Sequence, residues 1–95
     1  MPTRYFFVYI LASCFKTLYI GVTNDLQRRI AQHRERRPGS YTGRYRIDRL
    51  VYFEVFDSPA IAIAREKQLK AWRREKKVHL IEAKNPAWED LATAT

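Results

Sequence analysis

Tyr5-Phe6-Phe7-Val8-Tyr9-Ile10-Leu11 and Leu18-Tyr19-Ile20-Gly21-Val22, joined by the polar turn Ser13-Cys14-Phe15-Lys16-Thr17, decide the fold of this chain. The first run is continuously apolar and rich in aromatic and β-branched residues. The second alternates, with Leu18, Ile20 and Val22 on one face and Tyr19 and Gly21 on the other. Together they read as an antiparallel hairpin. With Tyr9 opposite Tyr19 the turn is centred on Cys14, and residues opposed across such a pair share a face, their Cβ atoms about 5 Å apart. Both phenols then project together, and Gly21 leaves the sheet open beside Tyr19 for another backbone or a phosphate. Most cross-strand tyrosine pairs only pack, so a site has to be argued from the residues downstream.

Composition narrows the classes. The 95 residues suffice for one domain, spanning 1–95, with a single modest core. A 46 % apolar content with many aromatics marks a globular chain. No apolar run approaches a membrane span, no signal-peptide pattern opens the chain, and the lone Cys14 allows no internal disulfide, so a reducing cytoplasm is the expected home. The formal charge of +8, from 18 Lys and Arg against 10 Asp and Glu, points to a polyanionic partner, nucleic acid above all.

Taken in order, Asn24 is expected to cap a first helix, with Gln27 completing a capping box, over Asp25 to about Arg36, ended by Arg37-Pro38-Gly39. At about 100° per residue, Arg29 and His33 flank the Leu26/Ile30 stripe that docks on the sheet, whereas Arg28 and Glu35 face away. Arg37 to Asp48 reads as a loop interleaving Arg37, Arg44 and Arg46 with Tyr41 and Tyr45, either a flap that grips a backbone and stacks bases or a solvated connector. Arg49 to Phe56 is a third strand, with Leu50, Tyr52, Glu54 and Phe56 on one face. Ser58-Pro59 opens a helix to about Arg74, its inner arc formed by Ile61, Ala64, Gln68, Ala71 and Trp72 with Glu66 at the edge. Lys67, Lys70, Arg73, Arg74, Lys76 and Lys77 make the strongest basic tract. A short helix from Lys76 to Ala83 follows; Trp88 and Leu91 cap the core, and Ala92 onward frays. The sum is an α+β fold, a three-stranded antiparallel sheet flanked by helices in the order β-β-α-β-α-α.

Val8-Tyr9-Ile10, Tyr19-Ile20-Gly21, the Asp25–His33 helix and Ala64-Arg65-Glu66 before a basic helix resemble the GIY-YIG nuclease domain, from Tyr5 to Leu91. The Asn-Pro-x-Trp-x-x-Leu stretch from Asn85 to Leu91 is similar to the end of small stand-alone bacterial members. The first triplet departs from the family, with Phe7 and Val8 where it has Gly and Ile.

The resemblance implies a metal-dependent DNA endonuclease in repair or processing, a monomer or weak homodimer; the rival is a non-catalytic nucleic-acid-binding module on the same basic surface. It implies that Glu66 holds a divalent ion, Mg2+ or Mn2+, that Arg29 clamps the phosphate, and that Tyr9 accepts the water's proton, as phenolate or by relay. His33 or Lys16 would favour the ionised phenol, and Tyr19 would hold the water or the scissile phosphate. Lys16, Arg44, Lys67, Lys70, Arg73 and Arg74 would line the substrate path. A phenol with a pKa near 10 is a poor base at neutral pH, so cations beside it are a chemical requirement.

Overall fold

The computed structural model describes residues 4–35, 39 and 41–93. Its elements are β1 (Phe6–Ala12), β2 (Leu18–Thr23), α1 (Leu26–Arg34), a single helical turn α2 (Tyr41–Arg44), β3 (Arg49–Phe56), α3 (Pro59–Ala71), α4 (Arg74–Lys84) and a 3-10 turn, Leu91–Thr93. The sheet is antiparallel in the order β2-β1-β3. As the central strand, β1 is covered on both faces, which is why its sequence does not alternate and why Val8 to Ala12 are all buried.

The hairpin register differs from the expected one by one residue in the turn. Tyr9 faces Gly21 and Leu11 faces Tyr19. Ser13 causes the difference: its amide donates to the Thr17 carbonyl, and its Oγ accepts from the amides of Phe15 and Thr17. Ser13 and Thr17 therefore close the loop around Phe15, not Cys14, with Lys16 taking the left-handed φ of 63°. The tyrosines remain on one face as a diagonal pair, ring centroids 6.3 Å apart.

A β-bulge splits β3. Ile10 pairs with Tyr52 but Leu11 pairs with Leu50, leaving Val51 as the extra residue. Leu50 and Tyr52, expected on one face, thus lie on opposite faces. Leu50 joins Tyr9, Leu11, Ile30 and Ile47 under α1, while Tyr52 joins Val8, Ile10, Ala62, Leu69 and Ile81 under α3 and α4. Asn85, itself buried, donates to the Val51 carbonyl at 3.0 Å, and Asp90 accepts from the Leu50 amide at 3.3 Å. The C-terminal segment therefore finishes the ladder that the bulge interrupts.

Three helical expectations change. Asp25, not Asn24, caps α1, its carboxylate accepting from the Arg28 amide; α1 ends at Arg34, and the expected terminator residues Arg37 and Pro38 lie outside the described residues. The inner arc of α3 is rotated by about one residue. Ala62 and Leu69 are buried and Arg65, Glu66 and Trp72 half-buried, whereas Ile61, Ala64, Gln68 and Ala71 are exposed. A hydrophobic stripe misleads here because the inner face carries two charged residues with partners: Arg65 pairs with Glu54 at 2.8 Å, and Glu66 with Lys70 at 3.2 Å. Extended backbone at Trp72 and Arg73 ends α3 before Arg74, so α4 begins two residues earlier than expected. Leu91 packs on the core as expected, on the Tyr9 side of the sheet, and Ala92, expected to fray, packs there with it. No helix among the described residues is long and apolar enough to cross a membrane.

Candidate active site

The Tyr9 ring lies across Gly21. A Cβ placed on Gly21 would stand 2.4 Å from Tyr9 Oη and 2.5 Å from Cζ, far inside contact distance. The opening expected beside Tyr19 for a backbone or a phosphate is therefore filled by Tyr9 itself. Glycine is required here for volume, since a methyl group and the phenol cannot share that space.

One turn apart on α1, Arg29 and His33 converge on the same phenol, as the helical wheel places them. Arg29 Nε donates to Tyr9 Oη at 3.3 Å, and His33 Nε2 lies 3.1 Å from it. The His33 ring also sits edge-on to Tyr19, 5.2 Å between centroids. Arg29 reaches Gln32 Oε1 at 3.5 Å and opens onto a polar cleft of about 410 Å3, lined also by Thr23, Asn24, Asp25 and Arg28. Arg28 is exposed but borders the same cleft.

Burial pushes the Tyr9 phenol above its usual pKa. The hydrogen bond and charge of Arg29 pull it down, while Tyr19 and the Glu66 carboxylate push it up. Burial, then the Arg29 charge, lowers His33, so its imidazole is neutral at pH 7. Arg29, hydrogen-bonded to Tyr9, is held still more firmly protonated. In the neutral tautomer whose Nε2 carries no proton, the phenol accepts from Arg29 and donates to His33 Nε2. The group is thus a donor-to-acceptor line, guanidinium to phenol to imidazole. Arg29 is the cation that counters burial at Tyr9. Lys16, expected to share that work, lays its ammonium 4.7 Å from the centre of the Trp88 ring.

Glu66 comes from α3, in the other layer, with 15 % of its side chain exposed. Its negative charge raises the Tyr9 pKa, the smallest of the five influences on that phenol. The described residues contain no group of three or more His, Cys, Asp or Glu that could hold a metal. A single carboxylate fits a hard ion that keeps most of its water, as Mg2+ does, once Lys70 yields the carboxylate oxygen it pairs with. The rival carboxylate Glu54 is fully engaged, taking both Arg65 and Tyr52.

The remaining expected contacts are spread over the surface. Arg44 stacks 5.5 Å over Tyr45, which lies 4.9 Å from Tyr41; both tyrosines are exposed. Lys67 and Lys70 are exposed on α3, and Arg73 and Arg74 sit at the corner where α4 begins. Lys76 and Arg65 cover the Trp72 ring, at 4.2 and 5.1 Å. The Tyr52–Glu54–Arg65 cluster had no sequence assignment. The i,i+2 spacing of Tyr52 and Glu54 was its only legible trace.

The sequence model of the GIY-YIG catalytic domain matches residues 5–79, which include every group in this cluster. A UPF0213 protein of Haloquadratum walsbyi is 38 % identical over 78 residues, 82 % of this chain and 88 % of its own. One from Streptococcus pyogenes serotype M5 is 42 % identical over 71 residues, 74 % and 76 % of the two chains. The solution NMR structure of a UPF0213 protein from Bacillus halodurans superposes with a TM-score of 0.59 at 32 % identity, covering 96 % of this chain and 98 % of that one. None of these names states an activity. With the domain match spanning most of its length, and with relatives and a solved structure of the same kind, the chain belongs to the GIY-YIG family as one of its small members.

Proposed function

We propose that the protein is an endonuclease that hydrolyses DNA phosphodiester bonds with a divalent metal ion, Mg2+ or Mn2+, in DNA repair or processing. The observation that carries this reading is the convergence of Arg29 and His33 on one phenol oxygen, with the Glu66 charge close by. A binding module needs positive charge but has no use for a buried phenol set between a donor and a proton acceptor.

The raised Tyr9 pKa favours relay over a standing phenolate. Tyr9 Oη takes a proton from the attacking water while its own proton passes to the neutral His33 Nε2. Arg29 keeps its place against both the phenol and the phosphate, where its planar fork meets developing negative charge. Tyr19, beside His33, positions the water or the phosphate. The bound ion, on Glu66 and waters, supplies charge neutralisation for the leaving oxygen. Lys67, Lys70, Arg73, Arg74 and Arg44 contribute phosphate contacts, and Lys16 joins them from its seat on Trp88.

Labelled duplex, single-stranded and branched DNA, with RNA counterparts, are to be incubated with Mg2+ or Mn2+ and with chelator. Cleavage that needs the ion, and that Glu66→Gln abolishes while DNA binding persists, is the expected result. Wild-type cleavage by Glu66→Gln overturns the metal assignment. Salt-sensitive binding with no cleavage of any substrate makes the chain a binding module.

A further inference from the structure

The α1 face of the sheet is covered over only part of its area. Leu26 and Ile30 of α1, with Leu91 and Ala92, pack over Tyr9 and Leu11. On the same face, beyond Tyr9, lie Phe7 on β1 and Phe53 and Val55 on β3; Tyr9 pairs with Phe53 and Phe7 with Val55. Phe53 is 37 % exposed and Val55 51 %. Phe53 meets Phe7 in a T-shaped contact, ring centroids 6.5 Å apart, which fixes the ring without hiding it. Directly opposed residues have Cβ atoms about 5 Å apart, so Phe53 adjoins Tyr9 on the side away from Gly21, over which the phenol leans.

We propose that Phe53, braced by Phe7, is a stacking platform for one unstacked nucleobase, that of the nucleotide next to the phosphodiester held at Tyr9 and Arg29. The inference rests on the nuclease reading and adds to it a subsite and a substrate class. Stacking on a fixed aromatic ring tolerates any base. A base inside a duplex cannot lie on a sheet face unless it leaves its stack, so the subsite selects single-stranded or locally unpaired nucleic acid. Charge decides between this occupant and a second copy of the chain. Each copy carries +8, so two copies repel, whereas a nucleotide brings its own phosphate to Arg29.

The test separates the subsite from the chemistry. Binding of short single-stranded DNA, of the same strand in duplex, and of a strand with abasic positions is to be measured in chelator for the wild type, Phe53→Ala and Phe53→Leu. Phe53→Leu keeps an apolar contact with Phe7 and serves if the alanine variant unfolds. Both variants are expected to bind the single strand about tenfold more weakly, within the range for one stacked base, and the duplex and abasic strands as the wild type does. Where the wild type cuts, the same variants lose about tenfold in kcat/KM on the intact strand and nothing further on a strand abasic beside the cut. A wild type that binds in this pattern but never cuts refutes the nuclease reading and leaves the subsite standing. Equal single-strand binding by all three proteins overturns the subsite, as does a loss of equal size on duplex and abasic strands. Sedimentation of a wild-type dimer that Phe53→Leu dissociates also overturns it, in favour of a second copy on this face.

Discussion

Two tyrosines on neighbouring strands, one on each face of the sheet, show what separates a structural polar cluster from a reactive one. Tyr52 donates to the Glu54 carboxylate at 2.5 Å, and Arg65 closes the group with two bonds to the same carboxylate, at 2.8 and 2.9 Å. Every charge there has its opposite. Burial and then the Glu54 hydrogen bond push Tyr52 up to about 12, which fixes it as a neutral donor. Tyr9 also meets an arginine, but its third partner is an imidazole, and Arg29 pairs with none of the carboxylates in the ion pairs found among the described residues. That cluster keeps a net positive charge and a proton acceptor. The first arrangement leaves no charge unmatched, whereas the second leaves the Arg29 guanidinium outside those ion pairs, beside a polar cleft.

The largest expected effect falls on the phenols. Tyr9→Phe should lower the cleavage rate by about 100-fold or more, the scale of a lost general base, while Tyr52→Phe leaves it within about twofold. Similar losses in single-turnover assays would mean that Tyr9 is structural too. Next come the arginines. Arg29→Ala should cost about 100-fold in rate, the scale for one transition-state donor, and Arg29→Lys should recover part of it without the bidentate fork. Arg65→Ala should lower the melting temperature and spare the rate.

A smaller effect sharpens the Tyr9 side. In the relay the active form holds His33 neutral, so kcat/KM should rise with pH as His33 loses its proton. Because the folded pKa lies below the ordinary 6.5, that limb should sit below pH 6.5. His33→Ala should erase it; an unchanged limb would remove His33 from the proton path. The smallest effect belongs to the other cluster. Glu54→Gln should cost about 2 kcal/mol of stability at pH 7, the scale of hydrogen bonds to a charged group. Arg65, through its hydrogen bond, holds the Glu54 carboxyl below its usual range. Its contribution is thus present above the unfolded pKa, near 4.5, and lost as pH falls through the folded one. Denaturation curves of wild type and variant should converge as pH falls through that folded pKa, below 4.5.

What was legible in the chain followed regular periods. β3 has the expected bounds, Arg49–Phe56, because β-branched and aromatic residues dominate Val51 to Phe56, just before the Ser58-Pro59 cap. The convergence of Arg29 and His33 was legible because a helix repeats every 3.6 residues and α1 has one thin stripe to orient it. What escaped depended on irregular hydrogen bonds. The one-residue shift at Ser13, the bulge at Val51 and the rotation of α3 each follow from a polar group finding a distant or unpredictable partner: Ser13 with Phe15 and Thr17, Val51 with Asn85, Arg65 with Glu54. Charged residues on an inner helical face carry no periodic signature, so Ile61, the more visible residue, is the less buried one.

Gly21 changes how the two triplets should be counted. Its missing side chain is a mould, and the casting is the ring of Tyr9. The glycine of the second triplet and the tyrosine of the first are thus one feature written in two places, each meaningless to the chemistry without the other. Shaving the oxygen from Tyr9 would not make room for a methyl at position 21, since Cζ stands as near as Oη. In any chain of this fold, a side chain at the position of Gly21 should therefore mean that the phenol opposite it has been given up or aimed elsewhere. An inspection of both positions together tells a working cluster from a vestige before any assay is run.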